Sequence, residues 1–244
     1  VARTVATIEA RMTSSRLPGK VLAEADGKPM LELMIERLRF VREIDEIVIA
    51  TTTNRSDEPI EQLGHRLGLR VWRGSEDDVL SRVLGAATAA NADVIVELTG
   101  DCPLIDPAIV SRVIQQYRRA GVDYVSNCLE ITYPFGMETQ VFARSVLADV
   151  ASRTNNPVDR EHVSLYIYRH PDIYSLDNVR AEKSEARADL RLTLDEPADL
   201  VLIGAVFSAL RSKRSDFSLS DIIGFLDTHR DLATVNAGVV HKHV

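Results

Sequence analysis

Cysteine is scarce in this chain: there are two in 244 residues, Cys102 and Cys128, too far apart to form a CxxC pair. That excludes a disulfide-stapled scaffold and a structural cysteine–zinc site. It fits a reducing compartment, so a cytoplasmic protein is expected. Aromatic residues are thin too, at 5% with a single tryptophan, and no apolar run approaches the roughly 20 residues of a membrane span. The opening VARTVATIEARM reads as a strand rather than a basic-then-apolar leader. Positive charge is in deficit, with 29 Lys and Arg against 36 Asp and Glu, net −7. A chain of that sign has no general attraction for nucleic acid, so any anion site must be local.

Several catalytic signatures are missing as well. No GxSxG supports a serine hydrolase, and no HExxH or Cys/His cluster supports zinc catalysis. His162 sits in REHV, and His241 and His243 lie near the carboxyl end without a partner motif. The dinucleotide fingerprint GxGxxG is absent. Gly19-Lys20 looks like the end of a P-loop, but Ser14 occupies the first glycine position and Val21 the hydroxyl position, so that motif fails at both ends.

What is present is an alternation of short apolar runs and amphipathic stretches. Strands are expected at Thr4–Ala10, Glu46–Thr51, LRVWRG, Asp93–Asp101 and DYVSN. Helices are expected between them. The clearest, DPAIVSRVIQQYRRAG, has an Asp106 cap, Pro107 in its first turn and Gly121 at its end. This order implies a mostly parallel central sheet with helices on both faces, an α/β fold of Rossmann-like type. Ligands bind such sheets at the carboxyl ends of strands, so the loop after the first strand and TGDCP should meet in one cleft. Residues 129–180 change character, with TYPFGMETQVF reading as an exposed strand and two helices following. They are expected to form an excursion from the main sheet. The chain returns through LRLTLDEP, read as a strand ending in Asp195, and closes with helices around ADLVLIGAVFSAL and LSDIIGFLDTH.

Three stretches carry chemistry. EARMTSSRLPGKVL brings Arg11, Arg16 and Lys20 together after a strand, where backbone N–H groups and three cations can hold a polyphosphate. A solvated basic loop with a Pro18–Gly19 turn explains the same residues. In TGDCPLID, Gly100 allows close backbone approach, and Asp101 either can hold Mg²⁺ that bridges substrate phosphates or is a helix cap; Asp106 reads as a helix cap. In LTLDEPADL, Asp195 is either a second metal carboxylate or a cap. A strand-end turn, RGSEDDVLSR, adds Ser75, Asp77 and Asp78 as caps or ligand contacts, with Arg82 in reach of Asp78 at i,i+4. Two strand-end aspartates beside a basic loop suit phosphoryl or nucleotidyl transfer.

ARMTSSRLPGKVL, VWRGSEDDVLSRV, ELTGDCPLIDP, REHVSLYIYRHP and LTLDEPADL, in that order from about Ala6 to Leu210, resemble the CMP-sugar cytidylyltransferases. The similarity is greatest to the SpsF-like spore-coat polysaccharide branch, related to the CMP-Kdo and CMP-acylneuraminate synthetases. The resemblance implies a nucleotide-diphospho-sugar transferase fold, one nucleotidyltransferase domain over 1–244, with 129–180 supplying acceptor contacts and a homodimer surface. It implies CTP and a small anionic acceptor as partners, with Mg²⁺ on Asp101 and Asp195. Nucleotide contacts fall on Arg11, Ser14, Ser15, Arg16, Lys20, Arg73, Ser75, Asp77, Asp78, Arg82, Thr99 and Gly100. The implied catalytic set is Arg16, Lys20, Asp101 and Asp195. Acceptor contacts fall on Tyr133, Glu138, Gln140, Arg160, Glu161 and His162. Three positions depart from the branch: Glu9 stands where glutamine is usual, Glu97 where a basic residue is usual, and Gln140 where an acid is usual. A phosphonate or phosphorylated acceptor, a glycosyltransferase on the same fold, and a non-catalytic nucleotide-binding protein are the competing readings.

Overall fold

The computed structural model describes residues 2–239; His241 and His243 lie outside them. Four strands form the parallel part of the sheet: the β-branched runs β1 (Thr4–Glu9), β4 (Glu46–Thr52) and β6 (Val94–Thr99), with β5 (Arg70–Gly74) at the edge. All four pair in parallel, and β1, β4 and β6 are buried along nearly their whole length, as strands covered on both faces must be. A small hairpin, β2 (Glu24–Ala25) and β3 (Lys28–Pro29), leads into α1 (Met30–Leu38). Helices α2 (Glu58–Arg66), α3 (Val79–Ala89) and α4 (Pro107–Ala120) make the crossovers. The caps expected for α4 are present: Asp106 accepts from the Ala108 N–H at 2.7 Å, and Gly121 ends the helix in the left-handed region.

The 129–180 region does more than leave the sheet. With β7 (Tyr124–Ser126), β8 (Gln140–Ala143) and β9 (Leu176–Asn178), the sheet has seven strands in the order β5-β4-β1-β6-β8-β7-β9. β8 runs antiparallel between β6 and β7, with Val141 and Phe142 fully buried, so it is an interior strand and not the exposed one expected. Its polar–apolar alternation comes from Gln140, which lines a cleft instead of facing solvent. The expected helices appear as α5 (Arg144–Arg153), α6 (Pro157–Glu161) and α7 (Leu165–Arg169), the last two separated by a left-handed Val163.

The LRLTLDEP strand is also corrected. Residues 190–194 are extended but join no ladder. Leu192 N–H donates to Phe135 O and Leu194 N–H to Asp101 O, both at 2.7 Å, so the segment is stitched to two loops. Behind it pack α8 (Pro197–Leu210) and α9 (Leu219–Thr228), followed by a short α10 (Arg230–Ala233). One apolar layer fills the sheet face under α1, α2 and α4; another, built on Val5, Ile95 and Phe142, fills the face under α3, α5 and α7.

One buried cation ties α1 to the carboxyl-terminal layer. Arg37, 1% exposed, donates from Nε to Ile105 O and from Nη2 to Phe217 O, each at 2.8 Å, with its guanidinium 4.1 Å from the Phe217 ring centre. Arg37→Leu leaves two buried carbonyls unpartnered and should cost about 2–4 kcal/mol. Urea unfolding measures this, and a loss below about 0.5 kcal/mol would mean that the carbonyls find other donors.

Candidate active site

The carboxyl ends of β1 and β6 open into a cleft of about 760 Å³. The loop after β1 lies along it. Gly19 takes φ 74°, a left-handed conformation open to glycine, and its N–H donates to Met12 O at 2.9 Å, closing the turn. Among the described residues, the backbone N–H groups of 13–16 donate to nothing, which leaves them available to an anion. Buried Asp57 anchors the loop: it accepts from the Met12 N–H at 2.9 Å and from the hydroxyls of Thr51 and Thr52. Glu76 holds the far side through Thr13 and Arg11.

At the centre, the Lys20 ammonium lies 2.7 Å from Asp101 Oδ2 and 2.8 Å from Asp195 Oδ1. Arg16 also reaches Asp195 Oδ1, at 2.8 Å, and keeps a buried Nη1 without a partner. Burial acts against the Lys20 charge, but Asp101 and Asp195 outweigh it and raise its pKa above the ordinary lysine value. For Asp195, burial pushes upward, and Lys20, Arg16 and Arg191 together hold the carboxyl below the usual range. Asp195 is not a helix cap: Glu196 caps α8 in a reciprocal box with Asp199. Asp101 follows Gly100, where a Cβ would sit 2.8 Å from Glu9 O, so the two loops approach as closely as their backbones permit.

The cleft brings together Arg11, Ser14, Ser15, Arg16, Lys20, Arg82, Thr99 and Gly100 from the nucleotide set, the metal pair Asp101 and Asp195, and Tyr133, Glu138, Gln140, Glu161 and His162 from the acceptor set. Five expected contacts fall outside its lining. Arg73 is tied to Glu61 and to the carbonyls of Thr52 and Asn54. The Ser75 hydroxyl accepts from the Asp78 N–H, and Asp77 does not reach the cleft. Asp78 caps α3 and pairs with Arg160 at 2.5 Å, so these two brace the wall from behind. Arg82 therefore does not pair with the Asp78 side chain; it donates to the carbonyls of Ser75 and Glu76. Residues that the motifs did not single out for the cleft include Glu9, Cys102, Asn127, Cys128 and Tyr168.

The family described as Cytidylyltransferase matches residues 5–226. The chain belongs to the cytidylyltransferase family. It is 35% identical to the spore coat polysaccharide biosynthesis protein SpsF of Bacillus subtilis, over 93% of this chain and 95% of that one. It is 29% identical to the 8-amino-3,8-dideoxy-manno-octulosonate cytidylyltransferase of Shewanella amazonensis, over 69% of this chain and 72% of that one. The solved cytidylyltransferase of Leptospira borgpetersenii superposes with a TM-score of 0.90, at 29% identity and full coverage of both chains. The nucleotide-diphospho-sugar transferase fold is thus established, and the cytidylyltransferase is a CTP-dependent nucleotidyltransferase.

This cytidylyltransferase places the carboxyl of buried Glu97 near that of Glu9, so that each raises the cost of charging the other. Burial pushes Glu9 up to about 7 despite Arg82; burial and then Glu9 push Glu97 well above the carboxylate range. Raised carboxyl pKa values stabilise the fold while protonated, below about 4.5, and that contribution is lost as pH rises through about 7. Glu97→Gln should therefore melt higher than the parent at pH 8.5 but not at pH 5, the gap growing by roughly 2–4 °C per kcal/mol relieved. A pH-independent gap in thermal melts would contradict a pair that is buried and protonated.

Proposed function

We propose that this cytidylyltransferase transfers CMP from CTP to a hydroxyl of a sugar acid, releasing pyrophosphate, in the synthesis of a surface polysaccharide. The observation that carries the reading is the convergence of Lys20 with Asp101 and Asp195, which are 81 and 175 positions away in the chain, beside a loop with unfilled donors. The names of the SpsF and octulosonate relatives support the sugar-acid acceptor and the polysaccharide role.

The carboxylates fit Mg²⁺. Two of their oxygens already face one cation, the Lys20 ammonium, within 2.8 Å. An oxygen pair of this kind suits a hard divalent ion that completes its shell with water and substrate phosphates. Bound there, Mg²⁺ would neutralise charge on the phosphates. Arg16 and the N–H groups of 13–16 grip the triphosphate, and Lys20 moves its charge from the carboxylates to the leaving pyrophosphate. The acceptor oxygen bonds to the α-phosphorus as the α–β bridging bond breaks, and its proton passes to water. Preorganised donors of this kind each contribute a few kcal/mol that free water does not. A homodimer built on 129–180 completes the reading, supported by Leu129, Ile131, Val158 and Ile173, large apolar side chains at least 38% exposed.

Pyrophosphate release from CTP with Mg²⁺ and a panel of sugar acids tests this. Asp101→Asn should retain the parent's circular dichroism and lose about 100-fold or more in turnover. Chelation of the metal should abolish release, and added Mg²⁺ should restore it. Near-parental turnover in Asp101→Asn, or release that survives chelation, would sink the assignment.

A further inference from the structure

Transfer to the acceptor frees a proton from its hydroxyl, and few groups of the cleft can receive it. Asp101 and Asp195 already face cations: Lys20 sits between them, and Arg16 and Arg191 complete the pairing of Asp195. Glu161 is exposed to solvent, and among the described residues nothing orients the His162 ring by a hydrogen bond or ion pair. Glu138 differs from all of these. It lines the cleft with no cation within 4 Å among the described residues. The Gly136 N–H donates to its Oε2 at 2.7 Å, and the Cys102 thiol lies 3.8 Å from the same oxygen. Its Oε1 has no hydrogen bond among the described residues and is not sealed in the interior. One oxygen is thus fixed by the protein, and the other is free to accept.

The backbone around Glu138 is held on both sides. Asn127, 2% exposed, donates from Nδ2 to Met137 O at 2.7 Å and accepts the Thr139 N–H at 2.8 Å. The preceding turn is tied to the segment that leads to Asp195: Phe135 N–H donates to Leu190 O at 3.1 Å, and Leu192 N–H to Phe135 O at 2.7 Å. Cys102 fixes the distance to the other metal carboxylate. Its thiol lies 3.7 Å from Asp101 Oδ1 and 3.8 Å from Glu138 Oε2, so Glu138 stands one side chain away from the Asp101–Asp195 pair. A carboxyl fixed at that place is in position for an oxygen that must itself approach the α-phosphate. Burial raises the Glu138 carboxyl to about 7, and the Asp101 charge adds to this against the Gly136 N–H. That is the basicity that suits proton transfer near neutral pH.

Resting on the reading that CMP passes from CTP to a hydroxyl, we infer that Glu138 is the general base of the transfer. Its Oε1 takes the proton as the acceptor O–H bond breaks and the oxygen bonds to the α-phosphorus. The α–β bridging bond breaks at the same centre, and its electron pair leaves on pyrophosphate. Glu138 then releases the proton to water, so the proton reaches solvent by way of this carboxyl.

Steady-state pyrophosphate release by the full chain, with CTP, Mg²⁺ and the panel of sugar acids, tests the inference. On the acceptor that the parent uses best, Glu138→Gln should lose about 100-fold or more in kcat, as loss of a general base implies, with both KM values within about threefold. The parent's kcat should fall as pH drops through about 7, where Glu138 takes up a proton, and this limb should vanish in Glu138→Gln. The other titratable groups of the lining around it, Asp101, Cys102, Cys128, Tyr133, Glu161 and His162, are unchanged in the variant, so a limb that they set would persist. Glu138→Asp, which draws the carboxylate back by one methylene, should keep the limb at an intermediate kcat, and it carries the test if the glutamine variant fails to fold. Near-parental kcat in both variants, a loss confined to KM, or an acidic limb that survives in Glu138→Gln would overturn this inference alone. A parent that binds CTP and releases no pyrophosphate with any acceptor would overturn the transfer reading, and this inference with it.

Discussion

The Lys20 ammonium is the contact on which the rest of the cleft depends. It joins three segments that share no local structure: the loop after β1, the turn after β6 and the extended segment before α8. Without it, two carboxylates would face each other at a half-buried sheet edge. Their charges extend into an alternating series. Asp195 pairs with Arg191, Arg191 with Asp199, and Asp199 accepts from the backbone N–H groups of Asp195 and Glu196. Asn236, from the carboxyl-terminal segment, closes the series on Asp199 and on Arg191 O. Each member is nine-tenths or more buried, so removing one strands the charge of its neighbour. The aim of Asp195 is therefore set from behind, by groups that never reach the cleft.

What could be read in the sequence follows from how local each feature is. The strands β1, β4 and β6 announce themselves as β-branched runs. α4 announces itself through Asp106, Pro107 and Gly121, because burial pattern and capping chemistry are properties of a few neighbouring residues. The convergence of Lys20 with Asp101 followed from sheet topology, since loops after parallel strands share an edge. LRLTLD misled, because apolar alternation records which side chains are buried and says nothing about whether a strand lies alongside; here the neighbours are loops. TQVF misled in the opposite way: a side chain facing a ligand cleft is as polar as one facing solvent. Asp78 and Arg160, 82 positions apart, read as ligand contacts because nothing local reveals that they spend their charge on each other. The grip of Glu76 on Thr13, across 63 positions, is hidden for the same reason.

The separation of charge across the cleft explains how an acidic chain can hold a triphosphate. With a net charge of −7, long-range attraction for nucleotides is unavailable, and within a Debye length of about 10 Å only the nearest groups count. The loop concentrates its cations there, and all three are paired with carboxylates of the protein: Arg11 with Glu76, Arg16 with Asp195, and Lys20 with Asp101 and Asp195. Exchange of one anion for another keeps the site charge-balanced in both states, so binding does not have to begin from a cluster of unpaired cations. The same reasoning constrains the opposite wall. Glu138 there has no cation among the described residues, and burial raises its carboxyl to about 7. The two walls of the cleft therefore differ in kind: one keeps its cations paired with carboxylates of the protein, and the other carries Glu138 and Glu161 without a cation among the described residues.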